Sequence, residues 1–179
     1  MKTNLLITSG VGLLAIVAVA CAQLKTDFRP VDEPGGKRST LQGSPARKDK
    51  VVLTTTEWQK RLTPAQYKIL RNHGTEAAFC GRFHDHKGKG VYKCAGCQLP
   101  VFASDAKFDS GTGWPSFFQP VNVNNIWTRK DRSLGMVRDE VLCARCDGHF
   151  GHVFTDGPAS MGGLRYCINS DALVFEPTK

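Results

Sequence analysis

A chain of 179 residues with 24 Lys/Arg, 16 Asp/Glu and a net charge of +8 is long enough for one domain with extensions. The surplus is modest where a domain is expected: from Val51 onward 16 Lys/Arg stand against 12 Asp/Glu, with no basic stripe interleaved with aromatics. That argues against nucleic acid as a partner.

The chain opens as a targeting segment, residues 1–20. Lys2 supplies a positive start, and Leu5 to Ala20 is an apolar run. It falls short of the roughly 18 or more apolar residues of a membrane span and fits a secretory signal. The end of the run, AVAC, has two readings. Ala18 and Ala20 form an A-x-A cleavage site, and Cys21 directly after them is similar to a lipidated bacterial lipobox cysteine. The second reading explains an odd cysteine in an exported chain. It predicts an extracytoplasmic protein, periplasmic in location or tethered to a membrane by lipid on Cys21. Residues 21–50 follow as a tether rich in Pro, Gly, Ser, Lys and Arg, with few apolar side chains to build a core.

The domain proper, residues 51–179, begins with two helices. Thr54 stands three residues before Glu57, the spacing of a capping box, and Thr63-Pro-Ala-Gln repeats it with proline at the first helical position. Gly74 is the expected left-handed stop of the second helix. Thereafter the sequence reads as short strands between turn residues: VYKC, PVFA, SFFQPV, GMVR, EVLC, HVFT, RYCIN and ALVF. The fold class is therefore mainly β with short N-terminal helices.

Six cysteines remain beyond Cys21. Cys94/Cys97 and Cys143/Cys146 form two C-x-x-C pairs, each at a strand end before a turn. Two such turns together present four thiolates for a tetrahedral, structural Zn2+ with no open position. Two disulfides, or a redox C-x-x-C, are the competing readings. The long gap between the pairs makes the clip join distant parts of the domain. His149 and His152 follow at once, free for proton transfer. In RYCIN, strand alternation places Arg165, Cys167 and Asn169 on one face and Tyr166 and Ile168 toward a core. A cation beside a thiol lowers its pKa, so Arg165 is expected to favour a reactive Cys167 thiolate. Cys80 and Cys167 are the two thiols left over. They suit either a plain disulfide or a redox cycle in which a sulfenic acid condenses with a second thiol.

The stretches NHGTEAAFCGRF, GVYKCAGC, FDSGTGWPSF, CARCDGHFGHVFTDGP and GGLRYCINS occur in this order. Together they resemble the zinc-binding branch of the B-type methionine sulfoxide reductases, which reduce the R epimer. The resemblance runs from about Thr54 to Phe175. It implies two antiparallel sheets around a barrel-like core, with the Zn2+ far from the active site. It implies Cys167 as nucleophile, His149 and His152 as proton donors or their positioners, Arg165 as thiolate stabiliser, Asn169 as a hold on substrate or water, and Trp114 as the wall for the substrate methyl. The substrate it implies is methionine-R-sulfoxide in oxidised proteins, and the recycling partner is a thioredoxin-like reductant. One departure matters. Thr112 stands where many members carry the resolving cysteine, so Cys80 is expected to resolve the sulfenic acid. A lipid-anchored Cys/His hydrolase and a non-catalytic zinc interaction module are the rival readings.

Overall fold

The computed structural model describes residues 43–178. The leader, Cys21 and most of the tether lie outside the described residues. Helices α1 (Thr55–Arg61) and α2 (Pro64–Leu70) both start on complete capping boxes, Thr54 with Glu57 and Thr63 with Gln66. Each box satisfies two backbone donors that a helix start otherwise leaves orphaned. The stop of α2 differs from expectation. The left-handed residue is His73 (φ 52°), whereas Gly74 donates its N–H to the Lys68 carbonyl at 3.0 Å. Histidine is among the side chains that tolerate this region.

Nine strands follow: β1 (Gly90–Cys94), β2 (Pro100–Ala103), β3 (Lys107–Phe108), β4 (Ser116–Phe117), β5 (Ile126–Asp131), β6 (Arg138–Cys143), β7 (His149–Phe154), β8 (Arg165–Ile168) and β9 (Leu173–Pro177). They form a three-stranded sheet, β2-β1-β9, and a six-stranded sheet, β3-β4-β8-β7-β6-β5. All the pairings are antiparallel. The expected class, mainly β with two antiparallel sheets and short N-terminal helices, is the observed one. β5 is missing from the expected strands because IWTRKD puts only two apolar residues into an edge strand, and charges such as Arg129 and Lys130 keep an edge from pairing further. Of GMVR only Arg138 is strand; residues 135–137 belong to the exposed β5–β6 connection.

The core lies between the sheets. Tyr92 and Phe102 from the small sheet meet Phe117 from the large one, with the Phe102 and Phe117 rings stacked at 4.5 Å. Tyr166 and Ile168 are buried there too, as alternation along β8 requires.

The domain boundary also shifts. Residues 44–51, which composition places largely in the tether, lie against the Cys143–Cys146 turn. Lys50 Nζ reaches Asp147 (2.9 Å) and the Ala144 carbonyl (3.0 Å), and Val51 N–H donates to the Arg145 carbonyl at 2.9 Å. Composition registers missing apolar side chains, and this strap is held by polar contacts instead.

Candidate active site and cysteine clip

The two C-x-x-C turns are built alike. Cys94 and Cys143 end strands; Gln98 N–H donates to the Cys94 carbonyl, and Asp147 N–H donates to the Cys143 carbonyl. Gln98 and Asp147 both take left-handed backbone (φ 63° and 56°). The four sulfurs lie within 4.8 Å of one another, with Cys94 to Cys146 at 3.6 Å and Cys97 to Cys143 at 3.5 Å. A disulfide needs about 2.05 Å between sulfurs, so these are not disulfides. A tetrahedral ion at about 2.3 Å from each sulfur sets them about 3.8 Å apart, which the cluster fits. The four buried cysteines are thus positioned to bind a metal ion, and they join a turn of the small sheet to a turn of the large one.

On the opposite face of the large sheet from the core, register assembles one row of polar side chains across five strands. Ser116 pairs with Cys167, Cys167 with His152, His152 with Glu140, and Glu140 with Arg129. Residues paired in this way share a face. A bulge brings in His149. One step on β6, Val141 to Leu142, is matched by two on β7, Gly151 to His149. Three residues apart in a regular strand would put His149 and His152 on opposite faces; the extra residue puts them on the same one. Gly151 permits the close approach of β7 to β8, since a Cβ there would stand 2.1 Å from the Cys167 carbonyl oxygen.

The expected residues take the following places. Cys167 is partly buried, with its sulfur 4.0 Å from the Thr112 hydroxyl. Arg165 forks onto Asp156 with two 2.8 Å bonds and lies over the Phe154 ring. The expectation of an acidified thiol needs correction. Burial pushes the Cys167 thiol above its ordinary value, and the opposing pull of Arg165 and Thr112 does not cancel it. His152 Nε2 is 2.8 Å from Asp131, and burial outweighs that carboxylate to leave the ring below its ordinary pKa. His149 is 2% exposed; its Nδ1 lies 2.7 Å from Glu140 Oε1. Trp114 is half-buried, its indole N–H fixed on the Glu76 carbonyl at 3.1 Å.

Asn169, expected to hold substrate or a water, is bonded to backbone in this structure. Its amide donates to the Phe150 carbonyl and its oxygen accepts from Glu76 N–H, and it is 3% exposed. It ties the loop before Cys80 to β7. Cys80 itself is exposed and not bonded to Cys167. Its loop is pinned on either side, by Phe79 N–H on the Gly113 carbonyl (2.8 Å) and by Phe83 N–H on Ser170 Oγ (3.2 Å). Those two anchors flank the Thr112 and Cys167 segments, so Cys80 belongs to the same side of the domain.

Sequence reasoning missed Glu140, Asp131, Asp156, Glu76 and His73. Glu140 is the hub, bonded to His149 Nδ1, His73 Nδ1 (both 2.7 Å) and Arg129 Nε (2.5 Å). A signal existed: it is the charged residue adjoining the apolar run VLC. His73, Glu140 and His149 also have the composition of a metal site. Donors around one divalent ion at about 2.0–2.1 Å would stand about 2.9 Å or more apart. The 2.7 Å contacts, and the Arg129 cation on the same carboxylate, mark hydrogen bonds instead.

A family profile described as the SelR domain matches residues 62–177. A protein of Thiobacillus denitrificans named peptide methionine sulfoxide reductase MsrB is 55% identical over 124 residues, covering 69% of this chain and 93% of that protein. A namesake from Agrobacterium fabrum is 52% identical over 128 residues, covering 72% and 94%. Among solved structures, the Mis18 'Yippee-like' domain aligns with 51% of this chain and 98% of its own at 21% identity and a TM-score of 0.42, too slight a likeness to carry an argument.

Proposed function

The chain belongs to the SelR-domain family and matches its methionine sulfoxide reductase relatives over most of their length, and from that premise we propose that it reduces methionine-R-sulfoxide in proteins through Cys167. The observation that carries the proposal is the cross-strand row: a thiol flanked by Ser116 and His152, with Glu140 and Arg129 beyond.

The sulfoxide sulfur is electrophilic, and a thiolate is the strongest nucleophile the site offers. The resting thiol is protonated, so its proton must leave as attack begins. His152 stands opposite it in register and is uncharged at rest, which suits it to take that proton. His149, once protonated at Nε2, supplies a proton to the departing oxygen. Oxygen passes from the methionine sulfur to Cys167: the S–O bond of the substrate breaks, a thioether leaves, and Cys167 becomes a sulfenic acid. The methionine sulfur gains the two electrons that Cys167 loses. Arg165, held by Asp156, lowers the cost of the thiolate. The Trp114 ring, fixed by its N–H, offers an apolar wall for the methyl group.

Cys80 resolves the sulfenic acid: its sulfur bonds to Cys167 and water leaves. Their Cα atoms must stand within about 7 Å for that bond to form, and the turn between the Phe79 and Phe83 anchors carries Cys80. A thioredoxin-like dithiol then reduces the disulfide. Cys94, Cys97, Cys143 and Cys146 would hold a structural Zn2+, which ties the sheets together and takes no part in the chemistry. The leader and Cys21 support export, with a lipid tether at a membrane. The hydrolase and interaction-module readings find no support among these relatives.

The deciding assay uses separated epimers. Wild type reduces the R-sulfoxide and leaves the S-sulfoxide; Cys80→Ser gives one turnover and stops when a thioredoxin is the reductant. Reduction of the S epimer, or sustained cycling of Cys80→Ser, refutes the corresponding part.

A further inference from the structure

His149 and His152 each touch one carboxylate, but through different nitrogens. Glu140 takes Nδ1 of His149; Asp131 takes Nε2 of His152. We propose that Glu140 and Asp131 are positioning residues that lock the two active-site rings in opposite tautomers, so that His149 works through Nε2 and His152 through Nδ1. The proposal rests on the reductase reading above and names what orients its proton-transfer groups.

Several independent features lead there. His149 Nε2 is buried with no hydrogen-bond partner among the described residues. Burying a ring nitrogen unpaired is costly, because its hydrogen bonds to water are lost and not replaced. Packing alone does not call for such an atom; a site that receives a polar group from its substrate does. The carboxylates are also fully committed. Glu140 gives one oxygen to His149 and His73 and the other to Arg129. Asp131 gives Oδ2 to His152 and Arg138, and Oδ1 to the Ser133 backbone N–H. An ionised carboxylate can only accept, so the ring nitrogen it touches must carry the proton. Burial raises the Glu140 carboxyl, but bonds from His149, Arg129 and His73 outweigh that and hold it at about 2. Backbone donation from Ser133 comes first among the causes that keep Asp131 well below the usual range.

The surroundings are consistent with this. The titratable and charged groups that face the two rings are His73 from the connection after α2, Asp131 from β5, Arg138 and Glu140 from β6, and Cys167 from β8. Glu140 is the acidic partner of His149 and Asp131 that of His152. The ring centroids lie 5.6 Å apart in a near-perpendicular arrangement. Opposite tautomers let one ring take the thiol proton at Nδ1 while the other passes a proton to oxygen through Nε2.

The test is nitrogen-resolved NMR on full-length protein labelled with [15N]histidine, at alkaline pH where both rings are neutral. His149 is expected to carry its proton on Nδ1 and His152 on Nε2. In Glu140→Gln the patterns of His149 and of His73, which shares the same carboxylate oxygen, should move toward the averaged pattern of an unconstrained ring while His152 stays put. In Asp131→Asn only His152 should move. Each variant should lose about 10–100-fold in kcat, as loss of a histidine-orienting partner typically costs, with KM little changed. Finding the same tautomer in both wild-type rings, or a kcat loss with tautomers unmoved, overturns the proposal. The wild-type spectrum decides the lock even if a variant fails to fold. The spectrum is read without substrate, so failure of the reductase reading, seen as wild type inert toward R-sulfoxide, is separately visible.

Discussion

The clip and the catalytic row are both built from cysteine and buried polar groups, yet they are made in opposite ways. Each half of the clip is a local object: four consecutive residues, a strand end and one left-handed residue, made twice. The catalytic row has no local unit. It takes one side chain from each of five strands, and its order depends on register and on one bulge. The clip should therefore govern whether the domain folds, and the row should govern what the folded domain does.

The largest effect that can break this division is loss of the clip, or of the metal ion that its four cysteines are positioned to bind. Structural zinc supplies an apparent binding free energy of about 10–16 kcal/mol in small metal-folded domains. Cys143→Ser, or a strong chelator, should unfold the protein, read as loss of the cooperative thermal transition. A metal-free chain with an unchanged Tm would make the clip dispensable. Next, Cys167→Ser should abolish turnover of the R-sulfoxide while Tm stays within a few degrees of wild type. Residual turnover would move the chemistry elsewhere, and a collapse of Tm would blur the two regions.

A smaller effect tests the electrostatics of the row. Burial raises the Cys167 thiol and Arg165 opposes it. The rate of alkylation should rise with pH and reach its midpoint above the ordinary thiol value of about 8.5. Arg165→Gln removes the opposing cation, so the midpoint moves further up and the rate at pH 7 falls. Each whole pH step by which the midpoint climbs leaves about tenfold less thiolate at pH 7. A midpoint that falls or stays put would remove Arg165 from that role.

These differences explain what could be read from the chain. The C-x-x-C pairs, the capping boxes at Thr54 and Thr63, and the alternation of Arg165, Cys167 and Asn169 against Tyr166 and Ile168 all depend on neighbours within a few residues. Their consequences appear as expected in the structure. Edge strand β5 and the two-residue strand β3 carry too little apolar pattern to announce themselves. Asn169 lies one residue past β8, and its two partners, Phe150 and Glu76, lie on distant segments, so its commitment to backbone was out of reach. The motif at Gly151 looks like any glycine in a sequence; its reason is a carbonyl oxygen on another strand.

The amino-acid sequence on its own thus determined the paired cysteine turns, the helix starts and the face of Cys167, which follow from covalent spacing and the two-residue and 3.6-residue periods of the backbone. The family was legible separately, in the resemblance of motifs occurring in a fixed order. Tertiary structure alone decided which carboxylate meets which histidine and nitrogen, how far burial outweighs Arg165 at Cys167, and that residues 44–51 dock on the clip. Hydrogen bonding and desolvation act through space, and the groups concerned come together only when strand register and the bulge in β7 have been set.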